Sequence, residues 1–313
     1  MIKTIKIVNY LGDSLTIDMF NPALSGFAIE EVSGFGPVKA SINTTQFANA
    51  DGGIFTSSRC GNRNLVFKLM LMPGEENGLA NVEQARLLTY KYFQNKRAVK
   101  MIFETDEREC YIDGIVEDNK PTTFYKGTNI KGKYPMQQVS VICNQPYFMA
   151  MKKVNTTFNG VNAMFEFPFS NESLTEKLIN FGEIVTYSER SVYYEGDAKV
   201  GMLIKIHAIG DVRGFTIYDM DTRGRIAIND ERFYGIMGTY IQFGDEITIS
   251  TVKGNKYITL LRDGIKYNIL NALDKDPDWF ELDKGDNLFA YAVTSGIENV
   301  QLRIENDILY EGI

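Results

Sequence analysis

The sequence predicts a mainly β protein of two domains, with a single helix in the first. Three observations carry this expectation. The 313 residues exceed what one ordinary core requires and suit two domains of typical size. Composition agrees, since 44% hydrophobic and 23% charged residues lie within the range of chains that fold around packed cores. Finally, beyond about Met149 short β-branched runs separated by glycine recur with no helical patterns between them, so the crossovers of a parallel sheet have nothing to be built from there.

The first half opens with strand patterns at Ile5–Tyr10 and Leu15–Met19, followed by the turn-forming stretch Ser33-Gly34-Phe35-Gly36-Pro37. From Asn43 to Asn64 the chain is polar and glycine-rich with isolated Phe47 and Phe55. Such a segment cannot fill a core, and the pattern predicts a projecting loop or hairpin whose apolar tip docks on a neighbour. A helix is expected from Leu79 to Phe93, capped by Asn81 and carrying Val82, Ala85, Leu88 and Tyr92 on one stripe. Strands follow at Val99–Phe103 and Cys110–Val116. A second projecting loop, Asp118–Met136, contains Phe124 and Tyr125, and Gln138–Cys143 closes the domain. The boundary is expected at Met149, dividing the chain into 1–149 and 150–313. The second part has the texture of an antiparallel sandwich, a jelly roll, with strand runs from Val200–Ile209 to Val300–Ile304 and recurring glycines between them.

Charge divides unevenly. Residues 1–150 hold 16 basic and 15 acidic side chains, net +1, and residues 151–313 hold 17 and 25, net −8. Clustered Lys and Arg dominate phosphate binding, so specific DNA or RNA recognition is not expected of the acidic half. The three cysteines, Cys60, Cys110 and Cys143, match neither a disulfide framework nor a zinc site and are expected as reduced thiols. The N-terminal ten residues alternate polar and apolar, without the apolar run of a signal peptide, so synthesis in the cytosol is expected.

Several motifs could carry chemistry, and each has a plainer reading. Gly12-Asp13-Ser14-Leu15 is similar to the nucleophile motif of GDSL esterases, but that serine needs a nearby histidine base in an Asp-x-x-His setting. The one histidine here is His207, with Ile204 three residues before it, so a turn between strands is expected at Gly12. A single histidine also argues against zinc or iron chemistry. Asp219-Met220-Asp221-Thr222-Arg223-Gly224 puts Arg223 where a calcium ligand belongs and is read as a hairpin turn. No phosphate-binding or dinucleotide glycine fingerprint is present, and no cofactor is expected. Asp276-Pro277-Asp278-Trp279 offers an acid pair beside a tryptophan and supports the alternative reading, a carbohydrate-binding or glycan-processing protein acting through its C-terminal sandwich.

Taken in order, other segments resemble the distal tail proteins of siphophages and prophages. In the first half these are Ser33-Gly34-Phe35-Gly36-Pro37, Asp51-Gly52-Gly53 with Arg63, Tyr90-Lys91-Tyr92-Phe93, Phe103-Glu104-Thr105-Asp106, Asp113-Gly114-Ile115-Val116-Glu117 and Val139 to Phe148. In the second half they are Asn180-Phe181-Gly182-Glu183, Phe243 to Ile249, Leu288-Phe289-Ala290-Tyr291 and Leu309 to Ile313. The resemblance implies a tail-tube-like, ring-forming first domain, a split barrel or sandwich, and a galectin-like second domain. It further implies a hexameric baseplate hub at the tail tip of the virion, joining the tail-tube protein to the tail-tip lysin and receptor-binding proteins. DNA would cross the lumen without specific binding, and no enzyme activity is expected. Phe47, Asp51, Phe55, Phe124 and Tyr125 are the expected oligomer contacts.

Overall fold

The structure is a computed structural model that describes residues 1–122, 135–162, 183–186 and 188–313. It is mainly β, every paired strand is antiparallel among these residues, and the chain divides into two compact units. The first comprises Met1–Met151 together with Leu309–Ile313, and the second Lys152–Ile308. The sequence reading assigned the last residues to the second half; they return to the first unit instead.

The first unit contains β1 (Ile2–Asn9), β2 (Ser14–Asp18), β3 (Phe27–Ser33), β4 (Ala40–Gln46), β5 (Gly53–Cys60), β6 (Arg63–Leu71), α1 (Val82–Tyr92), β7 (Ala98–Thr105), β8 (Glu109–Pro121), β9 (Met136–Cys143) and β10 (Phe148–Ala150). Its main sheet runs β2-β1-β7-β8-β9-β6-β3, and β10 joins the start of β8 to the returning strand at Leu309–Tyr310. Alternation writes the core directly: Ile5 and Ile7 from β1, Leu65, Phe67, Leu69 and Leu71 from β6, and Val99, Met101 and Phe103 from β7 point inward. The helix begins where the Asn81 side chain accepts from Gln84 N at 3.0 Å, and it buries Ala85 and Thr89 against β1 and β6.

The second unit contains β11 (Val154–Thr157), β12 (Asn159–Asn162), β13 (Glu183–Thr186), β14 (Glu189–Tyr194), β15 (Met202–Ala208), β16 (Thr216–Asp219), β17 (Arg225–Ala227), α2 (Asp230–Met237), β18 (Glu246–Ser250), β19 (Tyr257–Arg262), β20 (Ile265–Asn268), β21 (Gly285–Ala292) and β22 (Val300–Asn306). Leu309–Tyr310 is then β23. A six-stranded sheet, β11-β22-β15-β18-β19-β20, and a four-stranded sheet, β14-β21-β16-β17, share one core. Phe158, next to β11, meets Tyr291 of β21 edge to face at 6.0 Å, and Phe215 stacks on the same ring. Helix α2 was not anticipated. Its eight residues are too few to display a period, although Asn229 caps it, Asp230 and Glu231 open it, and Gly238 ends it in a left-handed conformation.

Candidate assembly surface

Among the described residues, strands β4 and β5 pair only with each other and none of their side chains is buried. Every residue from Ala40 to Arg59 is exposed, among them Ile42, Phe47, Ile54 and Phe55, the last at 61%. Ile42, Thr44 and Thr45 of β4 and Ile54, Phe55 and Thr56 of β5 favour strands, and Arg59 is the one charged side chain of the pair. Within the hairpin the polar rungs are satisfied: Asn43 Nδ2 donates to Ser57 Oγ at 2.9 Å, and the Thr45 and Thr56 hydroxyls lie 3.2 Å apart. A bulge in β5 shifts the register between Asn43 and Thr44. The extra residue moves Phe55, opposite Thr44, onto the face that carries Ile42, while Ile54 falls on the other face. Both faces thus present apolar side chains to solvent, an arrangement that a single chain gains nothing from.

The root of this arm is rigid. The alternation of β6 places Arg63 on the inward stripe with Leu65, Phe67, Leu69 and Leu71, where a charge must be compensated. Its guanidinium donates to four carbonyls: Gly34, Gly36 (2.7 Å), Pro146 (2.6 Å) and Glu311 (2.6 Å). It also lies 4.4 Å from the centre of the Phe148 ring. One side chain therefore ties together the segment that enters the hairpin, the strand-closing segment before β10 and the returning C-terminal residues. Desolvation pulls the Arg63 pKa below its ordinary value. Phe35 reaches down from the same turn to Phe103 (5.2 Å) and Phe67 (5.9 Å). The turn depends on Gly34, whose φ of +90° is left-handed and whose Cβ, if present, would lie 2.1 Å from Asn64 O.

Comparison with solved structures finds whole-length matches. At a TM-score of 0.61 and 13% identity, covering 97% of this chain and 98% of the other, this structure is similar to SPP1 Dit. The chain has the Dit fold. SPP1 Dit is described as a paradigm of the hub adsorption apparatus in phages that infect Gram-positive bacteria. Structures of the phage p2 baseplate in its activated conformation, with strontium and with calcium, match at TM-scores of 0.47 and 0.45 and identities of 13% and 14%, with at least 99% of each chain covered. No protein-family model and no curated protein matches the sequence.

Within this Dit fold the residues singled out in the sequence fall as follows. Phe47 and Asp51 sit in the turn between β4 and β5, and Phe55 sits on β5; all are exposed. Phe124 and Tyr125 lie outside the described residues. Ser14 opens β2 after a tight turn in which Asn9 N donates to Asp13 O, whereas His207 belongs to the second unit. His207 lies on the outer face of β15, its Nδ1 3.8 Å from Glu246 Oε1, beside a groove of about 530 Å³ that Lys205, Gln301 and Arg303 also line. Asp219 organises the β16–β17 turn by accepting from the Asp221 and Thr222 amides at 3.0 and 3.2 Å. Asp278 accepts from Arg225 N at 3.1 Å, and Lys256 Nζ lies 5.3 Å from the Trp279 ring, so this acid and this ring both have structural partners. Among the described residues no cluster of His, Cys, Asp or Glu could hold a metal ion, and no helix is long and apolar enough to cross a membrane.

The residues that sequence reasoning undervalued are those at the hairpin root. Arg63 and Phe35 were noted as segment matches, yet their joint role depends on contacts with Pro146 and Glu311 that no local pattern announces. The available signal was Arg63 itself, a charge at the head of the largely apolar run Leu65–Leu71.

Proposed function

We propose that this protein is a non-enzymatic structural component of a phage tail tip, a hub subunit that closes into a hexameric ring. Its first unit, Met1–Met151 with Leu309–Ile313, forms the ring in the manner of a tail-tube subunit, and its second, Lys152–Ile308, is a galectin-like sandwich that faces the other baseplate parts. The ring joins the tail tube to the tail-tip lysin and receptor-binding proteins, and DNA passes through its lumen. It is made in the cytoplasm of the bacterial host and resides in the virion. The observation that carries this reading is the fold likeness to SPP1 Dit over 97% of the chain. A second support is the β4–β5 arm, whose Ile42, Phe47, Ile54 and Phe55 are exposed and which pairs with no other strand among the described residues.

On this reading Phe47, Asp51 and Phe55, together with Phe124 and Tyr125 of the second loop, contact the neighbouring subunit. Because the arm contributes nothing to its own core, charging it should spare the fold. The variant Phe47→Asp/Phe55→Asp is expected to keep the wild-type melting temperature and to lose the ring, measured by size-exclusion chromatography with light scattering. Deleting Gly52–Ser57 is expected to do the same. Rings that persist in both variants would overturn the assignment of the arm.

A further inference from the structure

The outer face of the six-stranded sheet carries a groove of about 530 Å³ to which the hub role gives no use. Its floor is the sheet itself, because Ile206, Ile247 and Leu302, which alternate with the outward residues, are packed into the core below. Strand register lays two unbroken rows of polar side chains across this floor. In the first, Thr157 of β11 stands opposite Arg303 of β22, Arg303 opposite Lys205 of β15, and Lys205 opposite Thr248 of β18. In the second, Gln301, His207 and Glu246 follow one another over the same β22, β15 and β18. The two cations are held in place: the carboxylate of Glu305, at the next outward position of β22 and largely buried, lies 2.7 Å from Lys205 Nζ and 2.8 Å from Arg303 Nη2. In the other row His207 Nδ1 is buried and has no hydrogen-bond partner among the described residues, with Glu246 Oε1 3.8 Å away.

We propose that this groove binds a neutral, linear oligosaccharide laid across the strands. Charge selects the ligand class. Lys205 and Arg303 cancel against Glu246 and Glu305, and residues 151–313 hold 17 basic against 25 acidic side chains, so neither the groove nor its surroundings attract a polyanion. What the rows present instead is donors and acceptors side by side: guanidinium, ammonium and amide N–H groups next to carboxylate and hydroxyl oxygens. A sugar hydroxyl both donates and accepts, so a mixed set satisfies it where a patch of one sign would leave it half-paired. Bonds to ionised groups are also roughly twice as strong as those between neutral ones. Neighbouring strands lie about 4.8 Å apart, close to the length of one pyranose unit in an extended chain, so a ligand crossing β11, β22, β15 and β18 meets a new set of groups with each unit. The rigid floor and the shared Glu305 fix these side chains before any ligand arrives, which lowers the entropy lost on binding. The acid and tryptophan that the sequence offered for sugars, Asp278 and Trp279, line a different groove. Binding of this kind lies within the second unit and does not depend on ring closure.

The test uses the full chain. A microarray of linear hexasaccharides of glucose, galactose, mannose and N-acetylglucosamine is expected to show binding of at least one. Titration calorimetry is then expected to give tighter binding of that hexasaccharide than of the corresponding disaccharide. Arg303→Ala/Glu246→Ala makes one change in each row at half-exposed positions; it is expected to keep the wild-type melting temperature and to weaken binding at least tenfold. Thr248→Ala/Gln301→Ala, which disturbs neither ion pair, is expected to weaken binding likewise and decides the matter should the first variant melt lower. Trp279→Ala is expected to leave binding unchanged. The proposal falls if no hexasaccharide binds at millimolar concentration, or if both double variants bind as the wild type does. It falls equally if Trp279→Ala alone abolishes binding, which moves the seat to the other groove. Oligomers of glycerol phosphate on the same array supply a charged counterpart, and their capture in preference to every neutral chain would overturn the ligand class.

Discussion

Arg63 is the residue on which the first unit turns. A guanidinium at an inward strand position is tolerable only because its donors are spread over backbone oxygens of Gly34, Gly36, Pro146 and Glu311. Arg63→Ala would leave those carbonyls without their donor and open a void beside Phe148. It is expected to destabilise the unit by about 3 kcal/mol or more, measured by urea unfolding. Arg63→Lys should recover less than half of that loss, because one ammonium cannot reach oxygens arranged around a planar fork. The thiols give a second test at this scale. Burial pushes Cys143 up to about 12 and Cys110 up to about 11, whereas Cys60 is only half-buried. Iodoacetamide at pH 8 is therefore expected to label Cys60 first in the native protein. The same shifts fix the sign of an alkaline effect. The unfolded thiols ionise near 9 while the folded ones hold their protons, so the unfolded state sheds protons first and stability falls as pH rises from about 9 toward 12. Melting curves collected across that window should show the fall, and it should be shallower in Cys143→Ala.

Among the elements, legibility followed locality. The strands around Ile5, Val99 and Val139 announce themselves by alternation, and α1 by its cap and stripe; their observed limits differ from expectation by a few residues. Strand β6 was not read, because Leu-Val-Phe-Lys-Leu-Met-Leu is apolar without a decisive period and is resolved as a strand only by its partners β3 and β9. The β4–β5 hairpin was legible as a projection from its glycines and isolated phenylalanines. Its register was not, since the bulge that brings Phe55 to the face of Ile42 is a property of the pair of strands. This bulge makes an element-scale prediction. Inserting one residue between Asn43 and Thr44, opposite Thr56, should restore plain alternation and turn Phe55 to the face opposite Ile42, with little effect on melting temperature and, on the proposed ring reading, a marked loss of assembly by light scattering.

At the scale of the molecule, the second unit is inserted between Met151 and Leu309 of the first, so the chain leaves one core, completes another and comes back. The return was not legible, because Leu309 and Tyr310 find their partners Met149 and Phe148 across the whole of the intervening unit. Deleting residues 309–313 is expected to lower the stability of the first unit by about 3 kcal/mol or more, through lost burial of Leu309 and Tyr310 and the freed Arg63 donor. The second unit keeps all its strands in that variant and should melt as before, which differential scanning calorimetry can resolve as one shifted and one unshifted transition.

The returning strand also orders events in time. During synthesis the second unit has everything it needs once Ile308 has cleared the ribosome, whereas the first, although made earlier, waits for β23 and Glu311 to close it. A nascent chain stalled before Leu309 should thus carry a protease-resistant second unit and a protease-sensitive first one. On the proposed ring reading, the unit that contacts its neighbours is the last to become complete, so truncated translation products would be kept out of the assembly.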